Sequence, residues 1–294
     1  MNSLNTASMS HTPSRQIPEP ADSSVGGLLI QAGKIKPNDV GRILNLQAQK
    51  GLRFGEAAIK LGLVTDADIQ DALSLQFDYP MLGSDKSAFS EELVAACAPF
   101  SKEVESLRAL RTQLLMRWFG RGNQTLAIMG AIGGEGASWL AANLAIVFSQ
   151  QGKRTLLIDA DLRQPSLHQL FKLENRVGLS DMIAGRADAS VINQVSAFPA
   201  LSFLSAGTQA PNPTELLAKP TFGQLLDGFR TQYDIILLDT TPAIPLADCQ
   251  IVAAQAHGVL IATRRNVSKL GPVAALKDMA TAAGASIVGA IVVS

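Results

Sequence analysis

Two hydrophobic rhythms divide this chain. Before residue 80, apolar positions fall in short helical groups broken by glycine. After residue 125, short continuous apolar runs alternate with longer stretches of helical character. The runs are 126–129, 155–159, 201–204, 235–239, 258–263 and 286–293, each predicted as a strand buried on both faces. An Ala/Leu-rich helix is predicted from Trp139 to about Gln150, and another from about Lys102 to Phe119. Strands that alternate with helices imply an α/β fold, a parallel sheet covered on both faces.

The front of the chain repeats itself. Gly26, Gly33, Val40, Leu44 and Gln47 recur as Gly55, Gly62, Ile69, Leu73 and Gln76, each pair 29 residues apart. Each unit predicts two short helices, over 27–32 and 38–47 and again over 56–61 and 66–76, with Asn38 and Thr65 or Asp66 as N-caps. Two such units can bury one shared helical core. The expected organisation is a disordered Ser/Thr/Asn/Pro-rich tail at 1–23, a helical repeat domain at 24–80, a linker at 81–100 with Gly83, Ser84, Asp85 and Pro99, and the α/β domain at 101–294.

Composition narrows the function classes. The 294 residues are 47% apolar, enough for one α/β core and one smaller domain. Lys+Arg equals Asp+Glu, so no electrostatic footprint for nucleic acid exists. No export signal opens the chain, and no apolar run approaches the roughly 18–20 residues that span a bilayer. Cys97 and Cys249 have no metal-like partners and read as free thiols in a reducing cytosol.

The chemistry concentrates after the first strand. Ala131-Ile-Gly-Gly-Glu-Gly-Ala-Ser138 follows the phosphate-loop pattern G-x-x-x-x-G-K-[ST], with Ala137 in the lysine position. Gly133, Gly134 and Gly136 allow backbone N–H groups to curl round phosphate oxygens, and the following helix adds its positive dipole end. The candidate phosphate contacts are therefore Ile132, Gly133, Gly134, Glu135, Gly136, Ala137, Ser138 and Trp139. An ordinary Gly-rich turn is the alternative for the loop taken alone. Two more strands end in acids: 155–159 runs into Asp159, Asp161 and Arg163, and 235–239 ends in Asp239. Acids at such ends cap helices, or hold Mg²⁺ and position a nucleophile beside the loop. Ser138, Asp159 and Asp239 are the candidate metal-shell residues; Asp159, Asp161 and Asp239 are the candidate catalytic acids, with Asp161 the helper of an acceptor hydroxyl.

The segments Ala131–Ser138, 156–163 and 235–242 together resemble the bacterial tyrosine kinases of polysaccharide export, the BY-kinases, whose phosphate-loop domain is related to the MinD and ParA ATPases. Glu105-x-x-Arg108-x-x-Arg111 is similar to the helix through which that family assembles into rings; its plain alternative is a solvated face with i,i+3 charge pairs. The 29-residue repeat resembles the N-terminal domain of type II secretion and MshE-type ATPases, and its pairing with a BY-kinase domain resembles the EpsG-like chain-length-determinant kinases. The resemblance implies a P-loop NTPase fold, ATP or ADP with Mg²⁺, and an exopolysaccharide role. It also implies a homo-oligomer built through Glu105, Arg108 and Arg111, and a partner in the cytoplasmic part of a transmembrane polysaccharide co-polymerase. The expected location is the cytoplasm, recruited to the inner face of the membrane. For the repeat domain it implies either cyclic di-GMP binding through Arg53, Gly55, Gly62 and Gln76, or protein docking.

Two departures from the family pattern stand out. Ala137 and Ile132 occupy both positions where a loop lysine is usual, which leaves Arg163 (the first candidate), Arg264, Arg265 or an arginine from a neighbouring subunit to supply phosphate charge. No tyrosine-rich tail follows the last strand; Tyr79 and Tyr233 are the two tyrosines, and an autophosphorylated cluster is not expected. The rival functions are a pseudokinase scaffold and a ParA/MinD-like positioning ATPase.

Overall fold

The computed structural model describes residues 24–76, 88–244 and 247–293. The chain divides into two compact units, Met1–Tyr79 and Pro80–Ser294.

In the first unit the repeat is structural as well as sequential. Helices α1 (Val25–Gln31) and α2 (Pro37–Lys50) return 29 residues later as α3 (Phe54–Lys60) and α4 (Asp66–Gln76). The core keeps the same register, because Leu29, Ile35 and Ile43 are matched by Ala58, Val64 and Ala72, all buried. Thr65 caps α4 reciprocally: its hydroxyl accepts the Asp68 N–H at 3.2 Å, and Asp68 accepts the Thr65 N–H at 2.8 Å. Asn38 does not cap α2. Lys36 holds that place, its N–H bound by Asp39 at 3.1 Å, because Pro37 is preset for the first helical position and starts the helix earlier.

The second unit is a seven-stranded sheet. In chain order its strands are β1 (Thr125–Gly130), β2 (Thr155–Asp159), β3 (Asn193–Gln194), β4 (Leu201–Leu204), β5 (Ile235–Asp239), β6 (Gly258–Arg264) and β7 (Ser286–Val293). Their spatial order is β3-β4-β2-β5-β1-β6-β7. Every pairing is parallel except the short β3, which runs antiparallel along β4 and carries no apolar run to announce it. β1, β2 and β5 are buried along their whole length, as strands covered on both faces must be. One face is covered by α5 (Val94–Cys97), α6 (Lys102–Arg117), α7 (Ala137–Ser149) and α8 (Leu167–Leu170). The other carries α9 (Leu179–Ile183), α10 (Pro213–Leu217), α11 (Pro220–Arg230), α12 (Asp248–Ala256) and α13 (Leu270–Ala282).

The stretch expected as a linker is a packed strap from residue 88 onward; residues 81–87 lie outside the described residues. Phe89, Leu93, Ala95 and Ala96 are buried in the same core as α7, and Phe89 meets Phe171 edge-on at 6.0 Å between ring centroids. Asn143, fully buried on α7, ties the strap down. Its Oδ1 accepts the Ala95 N–H at 2.9 Å, and its Nδ2 donates to the carbonyls of Glu92 and Trp139 at 3.1 and 2.9 Å. The Pro/Gly/Ser content of the segment suggested a linker; its Leu-Val-Ala-Ala run is what packs. Asn143→Ala keeps the helix but leaves these groups unpaired, a loss of about 2–4 kcal/mol. Urea unfolding of the variant should report it, and a loss under about 0.5 kcal/mol would mean that the strap is held by apolar contact alone.

Candidate nucleotide-binding site

β1 ends at Gly130 in the middle of the sheet, and the chain turns directly into α7. The turn needs left-handed backbone at Gly134 (φ 82°) and Gly136 (φ 86°). At Gly136 a side chain is doubly unwelcome, since a Cβ there would stand 3.2 Å from the Val293 side chain. Because Gly136 is the N-cap of α7 and has no side chain to spend, the first N–H groups of the helix face outward without a capping partner. That is the geometry of an anion site.

A cavity of about 590 Å³ opens over this loop. Ile132, Gly133, Gly134, Glu135, Gly136, Ala137, Ser138 and Trp139 line it, and Asp161 and Arg264 join them from the ends of β2 and β6. Glu92 of the strap, Gln164, Ser166, Thr240 and Pro242 also line it. Thr240 and Pro242 belong to the 235–242 segment that carries the resemblance, whereas Glu92, Gln164 and Ser166 were not singled out in the sequence, because nothing in their local pattern marks them and the topology alone brings them there. No lysine lines the cavity among the described residues.

Glu135 has a role that a glycine-rich loop does not advertise. Its carboxylate is buried inside the loop, where Oε2 accepts the N–H groups of Ala131 and Ile132. Its other oxygen accepts the Ser268 hydroxyl, from the turn that follows β6. Glu135 thus braces the start of the loop and ties it to the segment that carries Arg264. The Arg264 guanidinium lies beside the loop and reaches the Gly134 carbonyl at 3.4 Å.

Arg163 is placed elsewhere. Its guanidinium pairs with the buried Asp248 carboxylate, Nε to Oδ2 at 2.5 Å, and donates to Thr214 at 3.0 Å. Charge satisfaction explains the difference, since a 1%-exposed Asp248 needs a cation more than the open cavity does. Of the expected substitute cations, Arg264 is the one that lines the cavity. Arg108 and Arg111 are likewise engaged within the chain: Arg108 pairs with Glu105 and donates to the Pro99 carbonyl at 2.7 Å, while Arg111 donates to the Val147 carbonyl near the end of α7 at 2.8 Å.

The acids divide into three kinds. Asp159 is spent on the backbone: its oxygens accept the N–H groups of Asp161, Ser166 and Leu167, each at 3.2 Å. Asp161 uses Oδ1 on the N–H groups of Arg163 and Gln164, at 3.0 and 2.9 Å, which leaves Oδ2 outside those bonds on a side chain that lines the cavity. Asp239 is fully buried, and neither carboxylate oxygen completes a hydrogen bond of ordinary geometry. The Ser138 side chain still approaches it and favours its charged form. Parallel register sets Asp159 and Asp239 side by side. Burial first, and the neighbouring Asp161 charge second, push Asp159 up to about 7 against the pull of its backbone N–H bonds. Burial, then the Asp159 charge, hold Asp239 well above the ordinary carboxylate range.

A fully buried carboxylate with unused lone pairs beside a helix-leading serine fits Mg²⁺. That ion takes one or two protein oxygens and fills its other positions with water and phosphate. The described residues include no group of three or more His, Cys, Asp or Glu able to cage a metal alone. In the first unit, Arg53, Gly62 and Gln76 are exposed and Gly55 is half-buried. The Arg53 N–H is bound by Glu56 at 2.9 Å, which caps α3.

A parallel sheet with a central glycine loop, a helix-leading serine and acids on two neighbouring strands defines the class of P-loop ATPases. A family model described as an AAA domain matches residues 123–279, more than half of the chain. The tyrosine-protein kinase YwqD of Bacillus subtilis is 35% identical over 205 residues, which is 70% of this chain and 86% of that protein. The chain belongs to the bacterial tyrosine kinase family. An EpsB protein of Ralstonia solanacearum is 41% identical over 181 residues, 62% of this chain. The match spans only 24% of EpsB, so the chain corresponds to about a quarter of that relative's length. The solved kinase domain of the Escherichia coli tyrosine kinase ETK superposes with a TM-score of 0.65 at 32% identity, covering 68% of this chain and 78% of that one.

The acid pair carries a stability signature. Both groups bind protons more tightly folded than unfolded, so their contribution is complete below about pH 4 and is lost as pH rises through about 7 for Asp159 and higher for Asp239. Asp239→Asn removes one buried charge. Unfolding by urea should therefore show the variant gaining on the wild type between pH 5 and pH 8, whereas a difference independent of pH would contradict the assignment.

Proposed function

We propose that the chain is an EpsG-like, ATP-binding member of the bacterial tyrosine kinases that regulates exopolysaccharide chain length. It would act at the cytoplasmic face of the membrane, as a homo-oligomer, with the cytoplasmic part of a transmembrane polysaccharide co-polymerase. None of the described helices is long and apolar enough to cross a membrane. The observation that carries the reading is the unsatisfied Asp239 carboxylate buried behind a loop of outward-facing N–H groups.

In this reading the loop amides and the first turn of α7 hold the β- and γ-phosphates. Ser138 and Asp239 would hold Mg²⁺, which neutralises phosphate charge when bound. Asp159 acts on Asp239 through charge and keeps the 161–167 turn in place through its three backbone bonds. Asp161, on the cavity wall, accepts the proton of an acceptor hydroxyl. Tyr233 is half-buried against the core and Tyr79 lies outside the described residues; the acceptor in this reading is a hydroxyl of another protein. Arg264 supplies the cationic contact on the loop side.

The missing lysine sets the expected rate. A preorganised charge lost from a transition state is worth on the order of 3 kcal/mol, or 10²–10³ in rate. Exposed Arg264 makes up only part of it, so slow transfer is the expected state of the wild type. The same substitution supports a second reading, a pseudokinase scaffold whose nucleotide state governs assembly. For the repeat unit we propose a regulatory role, with cyclic di-GMP at Arg53, Gly55, Gly62 and Gln76 or a docked protein in its place.

One set of measurements on the purified protein separates these readings: isothermal titration with Mg·ATP and with cyclic di-GMP, and radiolabel transfer from ATP to the co-polymerase tail. Ala137→Lys should raise transfer by roughly 10²-fold or more, and Asp239→Asn should abolish it. Tight ATP binding with no transfer, even after lysine is restored, leaves the scaffold standing and ends the kinase. No cyclic di-GMP binding at concentrations near 50 µM, or binding unaltered by Arg53→Ala, would sink the nucleotide role of the front unit.

A further inference from the structure

The turn after β2 has two sides. Asp161, Gln164 and Ser166 line the phosphate cavity. Leu162 and Arg163 line a second cavity of about 420 Å³, together with Gln209, Ala210, Pro211 and Pro213 of the segment that leads from β4 into α10. Two prolines fix φ along that segment, so this wall is preset. Among the described residues that line the second cavity, Arg163 is the one that carries a charge.

A guanidinium has five N–H donors in a rigid fork. In Arg163, Nε and Nη2 donate to Asp248, and Nη2 donates again to Thr214. Those bonds use three donors, none of them on Nη1. The Arg163 side chain is still 36% exposed, whereas its partner Asp248 is 1% exposed. Asp248 and Thr214 thus fix the guanidinium plane from one edge. The two donors of Nη1 stay outside those bonds, on a side chain that lines the cavity.

We propose that the second cavity receives an acidic side chain of the acceptor segment, and that Arg163 binds its carboxylate through Nη1. The inference rests on the kinase reading given above. Asp161 and Arg163 lie two residues apart, at most about 7 Å between Cα atoms. The Arg163 N–H donates to Asp161 at 3.0 Å, so the two are held as one turn. In an extended segment, side chains two residues apart point the same way and stand about 7 Å from each other. A segment laid across the turn with its hydroxyl at Asp161 therefore brings the side chain two residues away to Arg163.

Charge decides which side chain that is. Beside Asp161 and the phosphates a carboxylate is repelled, unless a fixed cation receives it. Arg163 turns that repulsion into a preference. It sets specificity and stands away from the reacting atoms. There the acceptor oxygen bonds to the γ-phosphorus, the bond to the bridging oxygen breaks, ADP leaves, and the hydroxyl proton passes to Asp161. The effect of Arg163 accordingly belongs in KM rather than kcat.

The test uses the full chain saturated with Mg·ADP, and two labelled peptides that differ only around one tyrosine. One carries Glu two residues to either side, the other Gln in the same places. Fluorescence anisotropy should show the Glu peptide bound about 5–20-fold more tightly. Ala210→Glu sets a competing carboxylate in the cavity wall and leaves the Arg163–Asp248 pair whole. Arg163→Gln combined with Asp248→Asn removes both charges together, so neither is left buried alone. Each variant should bring the Glu peptide to within about twofold of the Gln peptide, with melting temperature and Mg·ADP affinity confirming that it folds. Radiolabel transfer from Mg·ATP to the same peptides should place the preference in KM, with kcat within about twofold. Equal affinity for the two peptides in the wild type overturns the inference, as does a preference that survives both variants or resides in kcat alone. A wild type that binds Mg·ADP but neither peptide also overturns it and leaves the nucleotide site intact. A binding preference with no transfer, even in Ala137→Lys, overturns the kinase reading and leaves the carboxylate site.

Discussion

Two carboxylates on neighbouring strands, Asp159 and Asp239, share a buried wall at the C-terminal edge of the sheet, and the rest of the site answers to that arrangement. Like charges so placed cannot both ionise cheaply in a dry interior. Asp159 is relieved by three backbone N–H groups, which shape the turn carrying Asp161 into the cavity. Asp239 is relieved less: the Ser138 side chain and the Thr240 backbone favour its charge but do not offset burial and the Asp159 charge, and on the proposed reading a cation beside Ser138 would make up the difference.

The loop above that pair is braced by charge of its own. Glu135 folds back to hold the first two N–H groups and grips Ser268, so the phosphate loop and the turn after β6 behave as one piece. Arg264 rides on that piece. A lysine at 137 would add a cation at the head of α7; with alanine there, the loop keeps its shape and its amides and gives up its strongest charge. Shape and dipole suffice to bind a phosphate, whereas electrostatic stabilisation of a moving phosphoryl group needs the charge.

Much of this was legible in the sequence, and what was missed has physical reasons. The six parallel strands declare themselves because each is an apolar run; β1, β2 and β5 are buried on both faces as expected, whereas β7, at the sheet edge, is exposed or half-buried along its length, and β3 escapes because two polar edge residues carry no such signal. The 29-residue period fixes four helices and their core register, since a repeated pattern must bury a repeated face. The α2 cap was misplaced because Pro37 starts the helix ahead of the asparagine. The strap at 88–100 reads as a linker until Asn143, 48 residues away from Ala95, binds it; no local pattern encodes so distant a partner. Arg163 fits the same account. Beside two acids in sequence it looks like a phosphate ligand, but Asp248, 85 positions on, claims it.

The account's central claim is that Asp239 waits for a cation that arrives with a nucleotide, and the magnesium dependence of ADP binding tests it most directly. Titration at pH 7 should show ADP binding strengthened by Mg²⁺ at least tenfold, with net proton release that varies with the ionisation enthalpy of the buffer, and with both effects lost in Asp239→Asn. ADP affinity indifferent to Mg²⁺, or a magnesium effect that survives the loss of the Asp239 carboxylate, would contradict it.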